Sequence, residues 1–170
     1  IGSRTKLIVV SDDDESYVTP AALLARPPAD FQEWPAPTPT DTAMLMYSSG
    51  TTGTPKGAIV THGAWVAHTE LALAQLPGIG VGDVVLAVAP MAHFGGSIAL
   101  SCASAGAATV TLDSFDAVSA LECVVDFGVT VLPVAPVMLK FLIEDAPPDL
   151  QERASTTLRA IPYGGSPAAT

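Results

Sequence analysis

Between residues 84 and 163 the sequence alternates short apolar runs with helix-like stretches, and this alternation restricts the fold more than any other feature. Residues 84–88 are apolar and uncharged, as expected of a strand buried on both faces. A helix through Ile98, Ala99, Leu100 and Cys102 follows, then a strand at 108–112. Ser114 is placed to cap a helix running to Phe127, which Gly128 closes. Residues 129–132 read as a strand, 137–144 as a helix, and 158–163 as a final strand ending on Gly164-Gly165. Strands joined through helices enter one sheet by crossovers, so the pattern predicts an α/β fold with a mostly parallel sheet flanked by helices.

Upstream the rhythm differs. Residues 6–10 form a short β-branched run, and Thr19-Pro20 opens a helix-like stretch with proline where its missing N–H costs nothing. Residues 27–40 contain five prolines, which exclude a helix or a central strand and predict an extended connector. The expected organisation is therefore an upstream strand, helix and Pro-rich connector over 1–40, and the α/β body over 41–170. Within the body, 43–47 and 58–61 read as strands on either side of a Ser/Thr/Gly loop at 48–57. Residues 64–76 read as a helix ended by Pro77-Gly78.

Composition excludes several functions. Hydrophobic residues make up 49% and charged residues 14%, against a usual quarter, which rules out disorder and predicts that further structure covers part of the surface. The final strand ends on a glycine loop where a helix normally follows, so a piece of a larger protein is expected. Seventeen acids against seven bases give a net charge of −10, with no basic stripe for nucleic acid or anionic lipid. Residues 94–112 carry no charge, yet their glycines and hydroxyls suit a buried helix and a buried strand better than a membrane span. Cys102 and Cys123 lack metal-ligand or CxxC spacing and read as buried free thiols. With no signal peptide visible, a cytoplasmic location is expected.

The chemistry-bearing stretch is Tyr47-Ser48-Ser49-Gly50-Thr51-Thr52-Gly53-Thr54-Pro55-Lys56-Gly57. Its glycines let backbone N–H groups approach an anion. Ser48, Ser49, Thr51, Thr52 and Thr54 add five hydroxyls, and Lys56, one of three lysines, adds a point charge that can reach nucleotide phosphates. It is not a Walker A loop, because Pro55 and Gly57 stand where that motif needs glycine and Ser or Thr.

This stretch resembles the signature of the adenylate-forming superfamily: acyl- and aryl-CoA synthetases, firefly-type luciferases and the adenylation domains of peptide synthetases. The resemblance continues through Ala58-Ile59-Val60-Thr61-His62, through Pro90-Met91-Ala92-His93-Phe94-Gly95-Gly96 and through Tyr163-Gly164-Gly165-Ser166-Pro167. It covers about residues 41–167 and implies an incomplete part of the family's large N-terminal domain. In that family ATP and a carboxylic acid form an acyl-adenylate and pyrophosphate, and a thiol, usually coenzyme A, then takes the acyl group.

The resemblance implies that Ser48, Ser49, Gly50, Thr51, Thr52, Gly53 and Lys56 bind the ATP phosphates. It places His93 and Gly95 in the acyl pocket, and Gly164, Gly165, Ser166 and Pro167 on the adenine face. Gly95 and Gly96 are expected to leave room beside His93. No acid lies between Asp83 and Asp113, which favours a neutral acyl or aryl substrate over an amino acid. His62 and His68 are expected to serve local hydrogen bonding and a helix surface, and Trp34 to pack on the sheet. The family's Mg²⁺-binding Glu, ribose-binding Asp and catalytic Lys have no counterpart here, so no catalytic residue is assigned and the chain by itself is expected to be inactive. The leading expectation is part of an ATP-dependent acyl-CoA synthetase of fatty-acid type, partnered by the rest of the enzyme. The alternatives are a non-catalytic nucleotide-binding or packing fragment, and an aryl-acid adenylating domain serving a carrier protein.

Overall fold

The computed structural model describes residues 35–48, 56–88 and 91–165. The chain divides into two units between Ala36 and Pro37, and the elements described all belong to the second. In chain order they are β1 (Thr42–Ser48), β2 (Lys56–Thr61), α1 (His62–Ala74), β3 (Val84–Ala87), α2 (Phe94–Ser104), β4 (Ala108–Thr111), α3 (Ala117–Phe127), α4 (Pro136–Glu144) and α5 (Pro148–Ser155). The strand expected at 6–10, the helix after Thr19, most of the connector and Trp34 lie outside the described residues.

The uncharged run forms the central strand. β3 pairs in parallel with β4, Val84 opposite Ala108 and Ala87 opposite Thr111. On its other side Val85 bridges Val131, Val131 bridges Ala160, and Val134 bridges Tyr163, all in parallel. The order across the sheet is therefore β4, β3, the segment around Val131 and the segment around Ala160. The last two were expected as full strands and appear as isolated bridges. Proline explains the difference. Leu86 N–H donates to Val131 O, but the next donor on that segment would be Pro133. Ala160 and Gly164 N–H groups donate to Thr130 O and Val134 O, and between them stands Pro162. Each proline removes one ladder bond without ending the parallel course. β4 is also less covered than expected: Ala108, Thr109 and Thr111 are exposed at the sheet edge.

Alternation along β3 divides the core into two layers. Leu86 and Val88 pack with Ala120, Leu121, Val124, Leu142 and Leu150 beneath α3, α4 and α5. Val85 and Ala87 face the opposite way, onto Ala72, Ile98, Ala99 and Cys102 of α1 and α2. The result is the α/β arrangement that the sequence predicts, with helices on both faces of a mostly parallel sheet. α3 buries Ala117, Ala120, Leu121 and Val124, one stripe at helical spacing. Its cap is Asp116 rather than Ser114: the Asp116 carboxylate accepts from Ser119 N–H and Oγ, both at 2.8 Å. Those bonds, the backbone one first, hold the Asp116 carboxyl below its ordinary value. Gly128 closes the helix in the left-handed conformation, φ 61°. α5 was not foreseen, although Pro148 at its start, Asp149 in its first turn and Arg153 in its last are ordinary helix signals.

β1 and β2 depart from the parallel pattern. They form an antiparallel pair in which Ser48 faces Lys56 and Tyr47 faces Gly57. Both strands reach further into the hydroxyl-rich stretch than the sequence suggested, so Ser48, Lys56 and Gly57 belong to strands. Residues 49–55 between them lie outside the described residues. The pair is tied to α1 by His62 N–H donating to Asp41 O at 3.0 Å and Gly63 N–H to Pro39 O at 2.8 Å. Thr61 Oγ1 caps α1 by accepting from Ala64 N–H. Among the described residues, no helix is long and apolar enough to cross a membrane.

At the amino edge of the sheet, Asp83 at the start of β3 meets Arg159 at the start of the last segment, with Nη1 to Oδ1 at 2.7 Å. Asp83 is 7% exposed. Burial pushes its carboxyl up, and bonds from Thr130, the Gly80 N–H and Arg159, with the guanidinium charge, outweigh it and hold the group below its ordinary value. This depressed value adds stability that is complete above about pH 4 and is lost as pH falls through the folded-state value. Arg159→Ala should cost about 1–2 kcal/mol at pH 7, since water screens the half-exposed arginine. Asp83→Asn should flatten the acid limb of stability. Urea melts between pH 2 and 7 check both, and an unchanged acid limb in Asp83→Asn would contradict the assignment.

Candidate active site

Parallel strands bring their carboxyl ends to one edge. Here the chain leaves β3 toward His93, leaves the Val131 segment toward Ala135, and leaves the last segment at Gly164-Gly165. After β3 the connection runs to one side, to β4, and the later segments build on the other. The sheet order thus reverses beside β3, and such switch points open a crevice at the carboxyl edge where ligands of open α/β sheets bind. A cavity of about 410 Å³ lies there, lined among others by Met46, His93, Gly95, Val134, Gly164 and Gly165.

His93 is exposed and forms the N-cap position of α2 in extended conformation, with no side-chain capping bond. Its ring is therefore not committed to the helix. Gly95 is buried and lines the cavity. Gly96 plays a different part from the one expected. A Cβ there would lie 2.0 Å from Met91 O, so this glycine makes no room for a ligand. It lets the Met91 backbone pass against the first turn of α2. Gly164 is also a contact glycine, because a Cβ would stand 3.1 Å from the Phe94 ring. Gly165 has φ +89°, which side chains rarely adopt, and it turns the chain at the cavity wall. Ser166 and Pro167 lie outside the described residues.

In the hydroxyl-rich stretch, Ser48 ends β1 and the exposed Lys56 begins β2 directly opposite. Ser49, Gly50, Thr51, Thr52 and Gly53 lie outside the described residues. Gly57 answers Tyr47: a Cβ would come within 3.3 Å of the Tyr47 ring. Met46 of β1 lines the cavity beside His93, so the strand that leads into this stretch borders the switch-point crevice.

A second cavity, of about 280 Å³, adjoins the first. Met46, His93 and Phe94 line both, and the second extends past Met44, Val60, Trp65, His68 and Leu100. His68 is not the helix-surface residue that the sequence suggested: its Nε2 is buried with no hydrogen-bond partner. An apolar neighbourhood so far along α1 left no local signal for this. Among the described residues, no group of three or more His, Cys, Asp or Glu stands together. Cys102 is buried and Cys123 half-buried, both free, and burial pushes both thiols up.

A family model described as AMP-binding enzyme matches residues 2–170. The chain belongs to this family. A fatty acid–acyl-carrier-protein ligase of Streptomyces coeruleorubidus is 37% identical over 134 residues, 76% of this chain and 25% of the relative. A 4-coumarate–CoA ligase of Oryza sativa subsp. japonica is 31% identical over 178 residues, 98% of this chain and 31% of the relative. Among solved structures, the o-succinylbenzoate CoA synthetase of Bacillus subtilis in complex with its acyl-adenylate intermediate gives a TM-score of 0.62 at 30% identity, over 77% of this chain and 33% of that one. The chain thus spans a quarter to a third of the AMP-binding relatives it resembles.

Gly96 offers a direct check of this edge of the AMP-binding fold. Alanine in place of a helical glycine normally gains about 1 kcal/mol. Here the clash with Met91 O should reverse the sign, and Gly96→Ala should lose roughly 1–3 kcal/mol in chemical denaturation. A raised midpoint would show that Met91 does not pass so closely.

Proposed function

We propose that this chain is part of an AMP-forming acid–thiol ligase of the acyl-CoA synthetase type. The observation that carries the reading is the switch-point cavity, walled by His93 and by Gly164-Gly165 and bordered by the strand that enters the hydroxyl-rich stretch. Within it, the carboxylate of the acid attacks the α-phosphorus of ATP and the bond to pyrophosphate breaks; a thiol then attacks the acyl carbon of the acyl-adenylate, losing its proton, and AMP leaves as the thioester forms.

Each set of residues has a physical reason for its role. Ser48, Ser49, Gly50, Thr51, Thr52, Gly53 and Lys56 offer hydroxyls, backbone N–H groups and a cation to the β- and γ-phosphates. Gly164 and Gly165, with Ser166 and Pro167, present backbone to the adenine face. His93 and Gly95 border the acid, and the adjoining apolar cavity receives its acyl or aryl body. Magnesium, when bound, would neutralise phosphate charge, with its acidic ligand coming from elsewhere in the protein. Coenzyme A is the acceptor in this reading. A second acceptor, a carrier-protein thiol, is favoured by the Streptomyces relative, which is a ligase to acyl carrier protein.

Two measurements test the reading on the full-length protein that contains this chain. Pyrophosphate exchange against a panel of fatty and aryl acids should give turnover, whereas the 170-residue chain by itself should give none. Lys56→Ala and Thr52→Ala should each weaken ATP binding in calorimetry by about 1.5–3 kcal/mol, the worth of a hydrogen bond to a charged group. ATP affinity unchanged in both variants would remove the phosphate assignment.

A further inference from the structure

Gly164 is a glycine for a reason other than its own backbone. Among the described residues the glycines with left-handed φ are Gly78, Gly82, Gly106, Gly128 and Gly165, so the turn demands glycine at 165 and not at 164. What Gly164 makes room for is one side chain. A Cβ there would stand 3.1, 3.2 and 3.4 Å from three atoms of the Phe94 ring. Phe94 opens α2 and Gly164 ends the last parallel segment, so this contact joins the connection after β3 to the turn after Tyr163.

The two sides of the contact are unequally held. The Phe94 carbonyl accepts from Ser97 Oγ at 2.8 Å, and its ring packs against the buried layer that contains Ala87, Ile98, Ala99 and Cys102. The Gly164-Gly165 turn has far less. Gly164 N–H donates to Val134 O over a long 3.3 Å, and no bond to another described residue holds Gly165. Pro162, just before the turn, has no N–H to give. A turn tied so lightly takes its position from what packs against it. Resting on the reading of the preceding section, in which this turn meets the adenine, we propose that Phe94 is a positioning residue for the nucleotide. Its ring is the stop against which the Gly164-Gly165 turn is set. His93, next to Phe94, borders the acid in that reading, so the start of α2 also fixes the spacing between the acid and the adenine face, the spacing on which in-line attack depends.

The test separates the two ends of the nucleotide, on the full-length protein that contains this chain. AMP carries the adenine without the β- and γ-phosphates, and inorganic tripolyphosphate carries phosphates without the adenine. Phe94→Ala leaves a gap beneath the turn, and Gly164→Ala drives a Cβ into the ring. In calorimetry each should weaken AMP by about tenfold and leave tripolyphosphate within about twofold of wild type. Phe94→Leu combined with Gly164→Ala should recover most of the AMP affinity, because the shorter side chain gives the room that the Cβ takes. A general loss of folding would weaken both probes together and would not be reversed by the second substitution. AMP affinity unchanged in both single variants, a matching loss of tripolyphosphate, or a double variant no better than Gly164→Ala would each overturn the proposal. Wild-type protein that binds no AMP would overturn the ligase reading and this inference together.

Discussion

Parallel pairing of β3 on both its edges is the constraint from which the rest follows. A strand with neighbours on either side and helices over both faces must be apolar throughout, and Val85, Leu86 and Ala87 are all but fully buried. Parallel neighbours also send their carboxyl ends to one edge, so three loops distant in sequence meet there. Because one connection leaves β3 to the left and the next builds to the right, the loops diverge and leave a crevice between them. The crevice is a consequence of topology before any side chain lines it.

Backbone-determining residues then shape that edge. Pro133 and Pro162 thin the ladder next to the cavity while leaving the strands parallel. Gly96 admits the Met91 backbone, Gly164 admits the Phe94 ring, and Gly165 supplies a positive φ at the wall. The opposite edge is held by an ion pair between Asp83 and Arg159, which clamps the first and last parallel segments where no ligand has to enter. Polar anchoring and ligand access are thus separated to the two ends of one sheet.

Much of this was legible in the sequence, for identifiable reasons. The 84–88 run, the helix closed by Gly128 and the alternation of elements depend on local patterning, and they form where expected. The antiparallel β1–β2 pair was not legible, because pairing direction is set by partners and not by local periodicity. Asp116 displaced Ser114 as a cap because the helix begins later than the hydroxyl suggested. Gly96 was read as space for a ligand when it is space for a backbone, a distinction that only the fold makes. His68 looked like one more helical polar residue, and its burial depends on Trp65 and on the apolar side chains that β1, β2 and α2 bring around it.

In the proposed reading, the switch-point crevice holds the reacting acid and opens past Phe94 into the apolar chamber. The most direct measurement is a crystal structure of the full-length protein with a non-hydrolysable acyl-adenylate mimic, an acyl-sulfamoyl adenosine. The mimic should lie with its adenosine against Gly164 and Gly165, its acyl linkage beside His93, and its tail in the chamber lined by Met44, Val60 and His68. A mimic bound away from the carboxyl edge of β3, or with its tail directed away from that chamber, would rule out this placement of the acid.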